Sequence, residues 1–142
     1  MRTVRHLLEA KSADIYSIAP HAPVIDAVRL MAERSIGALL VMEGARLVGI
    51  VSERDYARKV VLQGRASADT PVSAIMTSQL VTVRPEDTVD YCMAIVTDRR
   101  IRHLPVMRGQ ELVGLVSIGD LVKAVIEDQQ VELDQLQRYI TS

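Results

Sequence analysis

The fold is decided by two matching stretches of the sequence, Gly49–Asp55 (GIVSERD) and Gly114–Asp120 (GLVSIGD). Each stretch has the form Gly-apolar-apolar-Ser-x-x-Asp. The match extends outward without a gap to Ile18–Val61 and Val83–Ile126, at a constant offset of 65 residues and with about a third of the positions identical. A match of this length, with glycine, proline, serine and aspartate in register, indicates a duplicated unit.

Each copy is predicted to form strand, helix, strand, strand, helix. Apolar residues recur at i, i+3, i+4 and i+7 after an early proline in both copies, which predicts an amphipathic helix. Two short apolar runs joined by a glycine-bearing turn then predict a hairpin whose strands are covered on both faces. These runs are Ala38–Met42, Leu47–Val51, Leu104–Met107 and Leu112–Val116. A further helix is predicted to start at Ser52 and at Ser117, so the fold class is α/β (α+β) with two βαββα repeats.

The parts outside the repeats are predicted from composition and periodicity. We divide the chain into a helical lead-in (1–15), a first repeat (16–64), a linker (65–79), a second repeat (80–127) and a helical extension (128–142). Gln63–Thr70 is polar and is predicted to be a flexible connection. The last helix is predicted to run from Asp120 past the repeat with an apolar stripe, which favours packing on its own domain; pairing with a second subunit is the alternative.

Composition narrows the class of protein. The 142 residues carry a net charge of −1 with acids and bases interspersed, and there is no Trp or Phe. The absence of a basic stripe argues against a nucleic-acid partner. The single Cys92 fits a reducing compartment, and the apolar runs are too short to span a bilayer. We therefore expect a cytoplasmic protein that binds neither nucleic acid nor membrane.

Motifs that would indicate catalysis are missing from the sequence. It contains no GxxxxGK[ST] loop, no GxGxxG after a strand, no HExxH and no Cys/His cluster with metal-ligand spacing. It also lacks a recognisable nucleophile elbow. We expect no catalytic residues, no metal site and no enzymatic activity.

The repeated pattern resembles the paired CBS domains, which are named after cystathionine β-synthase. The resemblance is carried by the two stretches quoted above and by Arg102–Val106 (RHLPV), and it covers nearly the whole chain. The form SERDYARKV is similar to small bacterial two-repeat proteins without an attached enzyme or channel. The resemblance implies clefts between the two repeats that bind adenosine compounds such as AMP, ADP, ATP, NAD or S-adenosylmethionine, with AMP or NAD the expected ligand. It also implies a homodimer that regulates another protein.

Ser52, Asp55, Ser117 and Asp120 are the principal candidate ligand residues. A serine at a helix N-terminus offers its hydroxyl beside unpaired backbone N–H groups, which suits a phosphate. An aspartate one turn later can accept hydrogen bonds from a ribose diol, the role that the resemblance also implies. The alternative is a local capping box, which needs no ligand.

Basic residues near these turns are candidate phosphate contacts. Arg54 lies in the first helical turn, where a cation is mildly unfavourable unless it meets an anion. The second copy has Gly119 there, so the two sites are not equivalent. Arg102 and His103 lie in the RHLPV string where some relatives carry basic phosphate contacts, and Pro105 is included with them. The first copy has Gly37 and Ala38 at the positions of Arg102 and His103, which would allow closer backbone approach.

Three further candidates precede the early prolines. Ser17 and Thr82 match at the same offset, on a strand that in the family lines the adenine pocket mainly through its backbone. Both could equally be ordinary strand residues. Tyr16 could stack on a base or fill space in the core. Cys92 occupies the position of Ala27 on an apolar helix face, and we expect it to be an unreactive core residue.

Two hypotheses about function follow. In the first, the protein is a nucleotide-responsive regulator whose ligand biases one of two states. In the second, it is a ligand-independent scaffold in which serine and aspartate serve only as caps. A weaker third possibility is inhibition of a separate enzyme through surface helices.

Overall fold

The computed structural model describes residues 2–11 and 14–141, which form two compact units. The first-repeat unit comprises Asp14–Val81 with Gln110–Leu112. The second-repeat unit comprises, among the described residues, 2–11, 82–109 and 113–141. Met1, Ser12, Ala13 and Ser142 fall in the predicted lead-in and extension and lie outside the described residues.

The first-repeat unit follows the predicted order of elements. Its strands β1 (Ser17–Ile18), β2 (Ala38–Glu43) and β3 (Arg46–Ser52) form one sheet in that order, with β1 parallel to β2 and β2 antiparallel to β3. The hairpin glycine, Gly44, has a φ of +62°, a conformation that glycine adopts without steric cost. The elements are β1 (Ser17–Ile18), α2 (Val24–Arg34), β2 (Ala38–Glu43), β3 (Arg46–Ser52), α3 (Glu53–Tyr56), a π-helical turn (Ala57–Val61) and a 3-10 helix (Val72–Ala74).

The core of this unit lies between β2, β3 and the helices. Ala38 to Val41 are buried at four successive positions, which confirms for β2 the prediction of a strand covered on both faces. The apolar stripe of α2 faces the same core through Val24, Ala27 and Met31. Apolar packing therefore helps to fix the position of the hairpin that carries the first Ser-x-x-Asp turn.

The segment predicted to be a linker is folded into the first-repeat unit. Val72 and Ile75 are part of its core cluster. Thr70 is buried, its hydroxyl donates to the Ala66 carbonyl at 2.8 Å, and its own carbonyl accepts from the Val24 N–H at 2.8 Å. The polar composition of this stretch therefore reflects tight turns closed by hydrogen bonds, not a flexible connection.

The second-repeat unit has the same order of elements with one difference. Its first strand is reduced to an isolated parallel bridge between Val83 and Val106. The strands β4 and β5 form a two-stranded sheet, and Gly109 in their connecting turn has a φ of +62°. The elements are α4 (Val89–Arg99), β4 (His103–Arg108), β5 (Glu111–Ser117) and α5 (Ile118–Thr141).

The N-terminal helix α1 (Val4–Glu9) packs within the second-repeat unit. The Val4 and Arg5 N–H groups donate to the carbonyls of Asp87 and Pro85 at 2.8 and 2.9 Å. Val4 and Leu7 of this helix are buried. The start of the chain is thus fastened to the repeat that lies further away in sequence.

The end of α5 is exposed. Only Leu121 and Ala124 of this helix are buried, and every described residue from Gln129 onward is exposed. The expectation that the extension packs on its own domain is therefore wrong for that stretch. The exposed apolar residues of the whole of α5 include Val122, Ile126, Leu133, Leu136 and Ile140.

Neither a membrane-spanning helix nor a metal-binding cluster is present among the described residues. None of the helices in the described part of the chain is long and apolar enough to cross a membrane. Within residues 2–11 and 14–141, no group of three or more His, Cys, Asp or Glu side chains is arranged to hold a metal ion.

Candidate functional site: two Ser-x-x-Asp turns

The first Ser-x-x-Asp turn forms a complete capping box at the end of β3. The Ser52 N–H and hydroxyl both donate to Oδ2 of Asp55 at 3.0 Å, and the Asp55 N–H donates to the Ser52 Oγ at 3.2 Å. Both residues are half-buried, and the Asp55 side chain is 15% exposed. The carboxylate is therefore fixed by the local backbone and still reaches the surface of the unit.

The second turn repeats this arrangement at the end of β5. The Ser117 N–H donates to Oδ2 of Asp120 at 2.9 Å, and the Asp120 N–H donates to the Ser117 Oγ at 3.1 Å. The Asp120 side chain is 25% exposed. Within the described part of the chain, the hydrogen bonds and the ion pair of the Asp120 carboxylate are made by Oδ2, so Oδ1 can accept a further hydrogen bond.

The hairpins bring the other predicted residues to these turns. In the first repeat, Ala38 pairs with Ser52 across the sheet, and the Gly37 carbonyl accepts from the Glu53 N–H at 3.0 Å. In the second repeat, the Arg102 carbonyl accepts from the Ile118 N–H at 2.8 Å. Gly37 and Ala38 therefore lie beside the first turn, and Arg102 lies beside the second.

Each aspartate is also paired with a lysine, which the sequence analysis missed. The Lys59 Nζ lies 3.2 Å from Oδ1 of Asp55 and donates to the Ile75 carbonyl at 2.9 Å. Lys59 follows Asp55 by four residues on a helical segment, and this i,i+4 spacing was a usable sequence signal.

Lys11 plays the equivalent part in the second repeat. Its Nζ donates to Oδ2 of Asp120 at 2.7 Å and to the Leu115 carbonyl at 2.9 Å. This contact joins residues 109 positions apart, so no local pattern in the sequence could have indicated it.

Charges around the second turn act on its ionisable groups. Burial disfavours the ionised form of Asp120, but the hydrogen bonds from Lys11 and Ser117 outweigh it, so the pKa of this carboxyl is lowered. Burial, followed by the nearby charges of Lys11 and Arg102, lowers the pKa of His103, although Asp120 acts in the opposite direction. The second turn therefore combines an ionised carboxylate, two cations and a neutral imidazole at neutral pH.

The early strands approach the same hairpins mainly through their backbones. Ser17 is exposed and lies opposite Leu40, and the Tyr16 carbonyl accepts from the Leu40 N–H at 3.3 Å. Thr82 is also exposed and precedes Val83, whose N–H donates to the carbonyl of the buried Pro105 at 3.0 Å. The structure brings Pro105 to the backbone ladder, not to a position where its ring is exposed.

Tyr16 and Arg54 have different surroundings. The Tyr16 ring packs against the core of the first-repeat unit, and the Arg34 guanidinium lies 5.1 Å from its centroid. One ring face is therefore covered by a cation. Arg54 is exposed on the turn that carries Ser52 and Asp55.

A separate cavity of about 300 Å³ lies in the second-repeat unit. It contains none of the residues predicted from the sequence, and its charged lining consists of two arginines and one glutamate. The lining residues are Arg5, Leu8, Glu9, Pro85, Arg108 and Val113.

Two α/β repeats, each with a Ser-x-x-Asp turn directly after its hairpin, define a CBS-type pair. The CBS domain pattern matches residues 4–62 and 72–127, which is more than half of the chain. The chain belongs to the CBS domain family, and CBS pairs are regulatory modules.

Individual relatives support this assignment. The chain is 47% identical over 122 residues to the mitochondrial CBS domain-containing protein CBSX3 of Arabidopsis thaliana, covering 82% of this chain but 59% of the relative. It is 31% identical to YhcV of Bacillus subtilis, with 80% of each protein covered. Among solved structures, a proposed signal-transduction protein with CBS domains from Burkholderia ambifaria has a TM-score of 0.86 and 54% identity, covering 89% of this chain and 96% of that one. The fold prediction is thereby confirmed.

Proposed function

We propose that this protein is a non-catalytic regulatory module in which each repeat binds an adenosine-containing ligand. The observation that carries the proposal is the duplicated capping box, in which a half-buried aspartate is held by serine and remains accessible. A ribose diol needs acceptor capacity that the cap does not use. Oδ1 of Asp120 supplies it in the second repeat, and in the first repeat Oδ1 of Asp55 lies outside the cap and would accept from ribose beside the Lys59 ammonium.

Each predicted residue has a proposed role. Asp55 and Asp120 accept hydrogen bonds from ribose, and Ser52 and Ser117 hold these carboxylates in place. Phosphate is contacted by the neighbouring cations and polar groups, and the base lies against the early strand and the start of the hairpin. The phosphate contacts are Arg54, Arg102 and His103, and the base contacts are Tyr16, Ser17, Gly37, Ala38, Thr82 and Pro105.

The ligand class follows from the chemistry of the two turns. A CBS domain pair of protein MJ0100 has been solved in complex with 5′-methylthioadenosine and S-adenosyl-L-methionine, with a TM-score of 0.80. At 20% identity this likeness shows the fold alone. We expect AMP or NAD here because the cations beside the turns suit a phosphate-bearing ligand.

Thermal unfolding against AMP, ADP, ATP, NAD and S-adenosylmethionine tests the proposal. Protein refolded from denaturant, and so freed of carried-over ligand, should be stabilised by at least one of these compounds. A ligand at 100 times its dissociation constant adds about 2.7 kcal/mol to the free energy of unfolding. Asp55→Ala and Asp120→Ala should each reduce the shift. If no compound shifts the midpoint of the wild type, the turns are caps and the scaffold hypothesis replaces the proposal.

A second candidate function, a homodimeric scaffold, is favoured by α5. This helix carries exposed apolar residues at steps of three and four, with the polar Gln129 at one position of the stripe, and two identical helices pair at this spacing. The apolar residues are Val122, Ile126, Leu133, Leu136 and Ile140. A second copy offers the same stripe, so it is the partner we propose. A CBS-CP12 protein from bloom-forming cyanobacteria, 31% identical with a TM-score of 0.76, is described as hexameric.

We further propose a cytoplasmic location and a separate protein target.

A further inference from the structure

The charge next to Asp120 is set by a residue from the start of the chain. Lys11 donates to both Oδ2 of Asp120 and the Leu115 carbonyl, at 2.7 and 2.9 Å. The helix before it is fastened by the buried Val4, whose N–H donates to the Asp87 carbonyl. The position of the Lys11 ammonium is therefore built into the packing of the second-repeat unit.

The two repeats obtain their lysines from different positions. At the offset of 65 residues, Lys59 corresponds to Ala124. The segment before the repeats follows an offset of 68, because the Val4 N–H bonds Asp87 as the Val72 N–H bonds Ala22, so Lys11 corresponds to Gln79. Each repeat thus has one lysine at one of the two positions and an uncharged residue at the other. Both repeats still place one ammonium within 3.2 Å of the carboxylate of the Ser-x-x-Asp turn. Duplication alone would not produce this exchange, so the pairing itself points to a shared requirement.

Helix capping does not explain why both repeats pair their aspartate with a lysine. An exposed ion pair contributes roughly 0–1 kcal/mol to stability, and each capping box is already closed by serine. The Lys11 side chain is 36% exposed, and its ammonium uses two of its three N–H donors on Asp120 and Leu115, which leaves one for a ligand. The exposed Arg102 is a second cation in this region: its carbonyl accepts from the Ile118 N–H of the same turn, and its charge acts on His103. This excess of positive charge suits an anionic group placed next to a hydroxyl-bearing one.

We infer that Lys11 is a phosphate contact of the second repeat and makes its site select adenosine phosphates over adenosine. The inference rests on the proposed function. Asp120 holds the ribose through its open Oδ1 atom, and the Lys11 ammonium, which stays within reach of Oδ2, donates to the phosphate. Lys59 is the corresponding residue of the first repeat, where Arg54 supplies the second cation.

Isothermal titration with AMP and with adenosine tests the inference in the Asp55→Ala background, which leaves one proposed site. Lys11→Met should weaken AMP binding by about tenfold or more, since hydrogen bonds to charged groups are among the stronger ones. Its affinity for adenosine should stay unchanged. Lys123→Met removes a lysine from the exposed face of α5 in the same unit and should alter neither affinity. Circular dichroism checks that each variant is folded.

The other outcomes have distinct meanings. If Lys11→Met weakens AMP and adenosine equally, Lys11 only positions Asp120 and the inference is wrong. If it strengthens both, Lys11 competes with the ligand and the inference is also wrong. If neither compound binds in the Asp55→Ala background, while AMP binds the wild type, the second repeat has no site and the inference falls with it. If no adenosine compound binds the wild type, the proposed function itself has failed.

Discussion

At the scale of single residues, a carboxylate that caps a helix keeps hydrogen-bonding capacity for a ligand. An ionised carboxylate has about four acceptor positions, and a capping box uses only some of them. Within the described part of the chain, Ser117 and Lys11 bond Oδ2 of Asp120, which leaves Oδ1 for a further hydrogen bond. The cap and the ligand hypotheses are therefore compatible, and what distinguishes them is a response to ligand.

The first prediction at this scale concerns His103. Because the pKa of this half-buried imidazole is lowered from 6.5, the unfolded state binds a proton more readily than the folded state. The contribution of the neutral His103 to the free energy of unfolding is complete above pH 6.5, and it falls as the pH drops below that value. Denaturant unfolding at pH 7.5 and 5.5 should show a loss for the wild type that is smaller for His103→Gln. An equal loss in both proteins would contradict the assignment.

The second prediction concerns Cys92. Burial, with a smaller effect of Asp87, raises the pKa of this thiol to about 11, so almost none of it is ionised at neutral pH. The native protein should react with a thiol reagent such as dithiobis-nitrobenzoate only on the timescale of unfolding. The same protein in guanidinium chloride should react at once, and rapid reaction of the native protein would show that the site opens.

At the scale of elements, the sequence predicted most of the fold because its signals were local. The hairpins, α2 and α4 were predicted to within a few residues from apolar periodicity and turn glycines. The first strand of the second repeat was predicted as well, but the structure reduces it to the Val83–Val106 bridge. The packing of residues 65–79 and of α1 could not be predicted from the sequence, because both depend on contacts between residues that are distant along the chain.

The residues of the candidate site also fall into those that the sequence predicted and those that only the folded structure shows. Ser52, Asp55 and their counterparts were found because they repeat at a fixed offset. The pairing of Lys11 with Asp120 was not, because only the folded chain brings the two residues together. A sequence periodicity cannot report a contact of this kind, whereas Lys59 could have been found from its helical spacing.

The third prediction concerns the glycine that opens the first Ser-x-x-Asp stretch. A Cβ at Gly49 would lie 2.6 Å from the Met76 sulfur and 3.0 Å from the Thr77 carbonyl oxygen. Gly49→Ala should therefore lower the free energy of unfolding by about 1–3 kcal/mol, the usual cost of overpacking. Gly37→Ala is the control, because nothing lies within 4 Å of its Cβ position. Chemical denaturation compares the two, and equal stabilities would contradict the packing.

At the scale of the whole molecule, α5 carries the prediction of oligomeric state. Light scattering coupled to gel filtration should give the mass of a dimer for the wild type. Leu133→Glu places a charge in the apolar stripe and should produce monomers, whereas Gln135→Glu on the opposite helix face should not. A monomeric wild type would refute the dimer, and a dimeric Leu133→Glu variant would move the interface away from α5.

The most direct test of the central claim is calorimetric titration of AMP and NAD into the refolded wild type and an Asp55→Ala/Asp120→Ala variant. We predict saturable binding of at least one compound to the wild type and its loss in the double variant. Asp98→Ala, an exposed residue of α4, should leave binding intact. Equal binding by the wild type and the double variant, or the absence of binding to the wild type, would contradict the account.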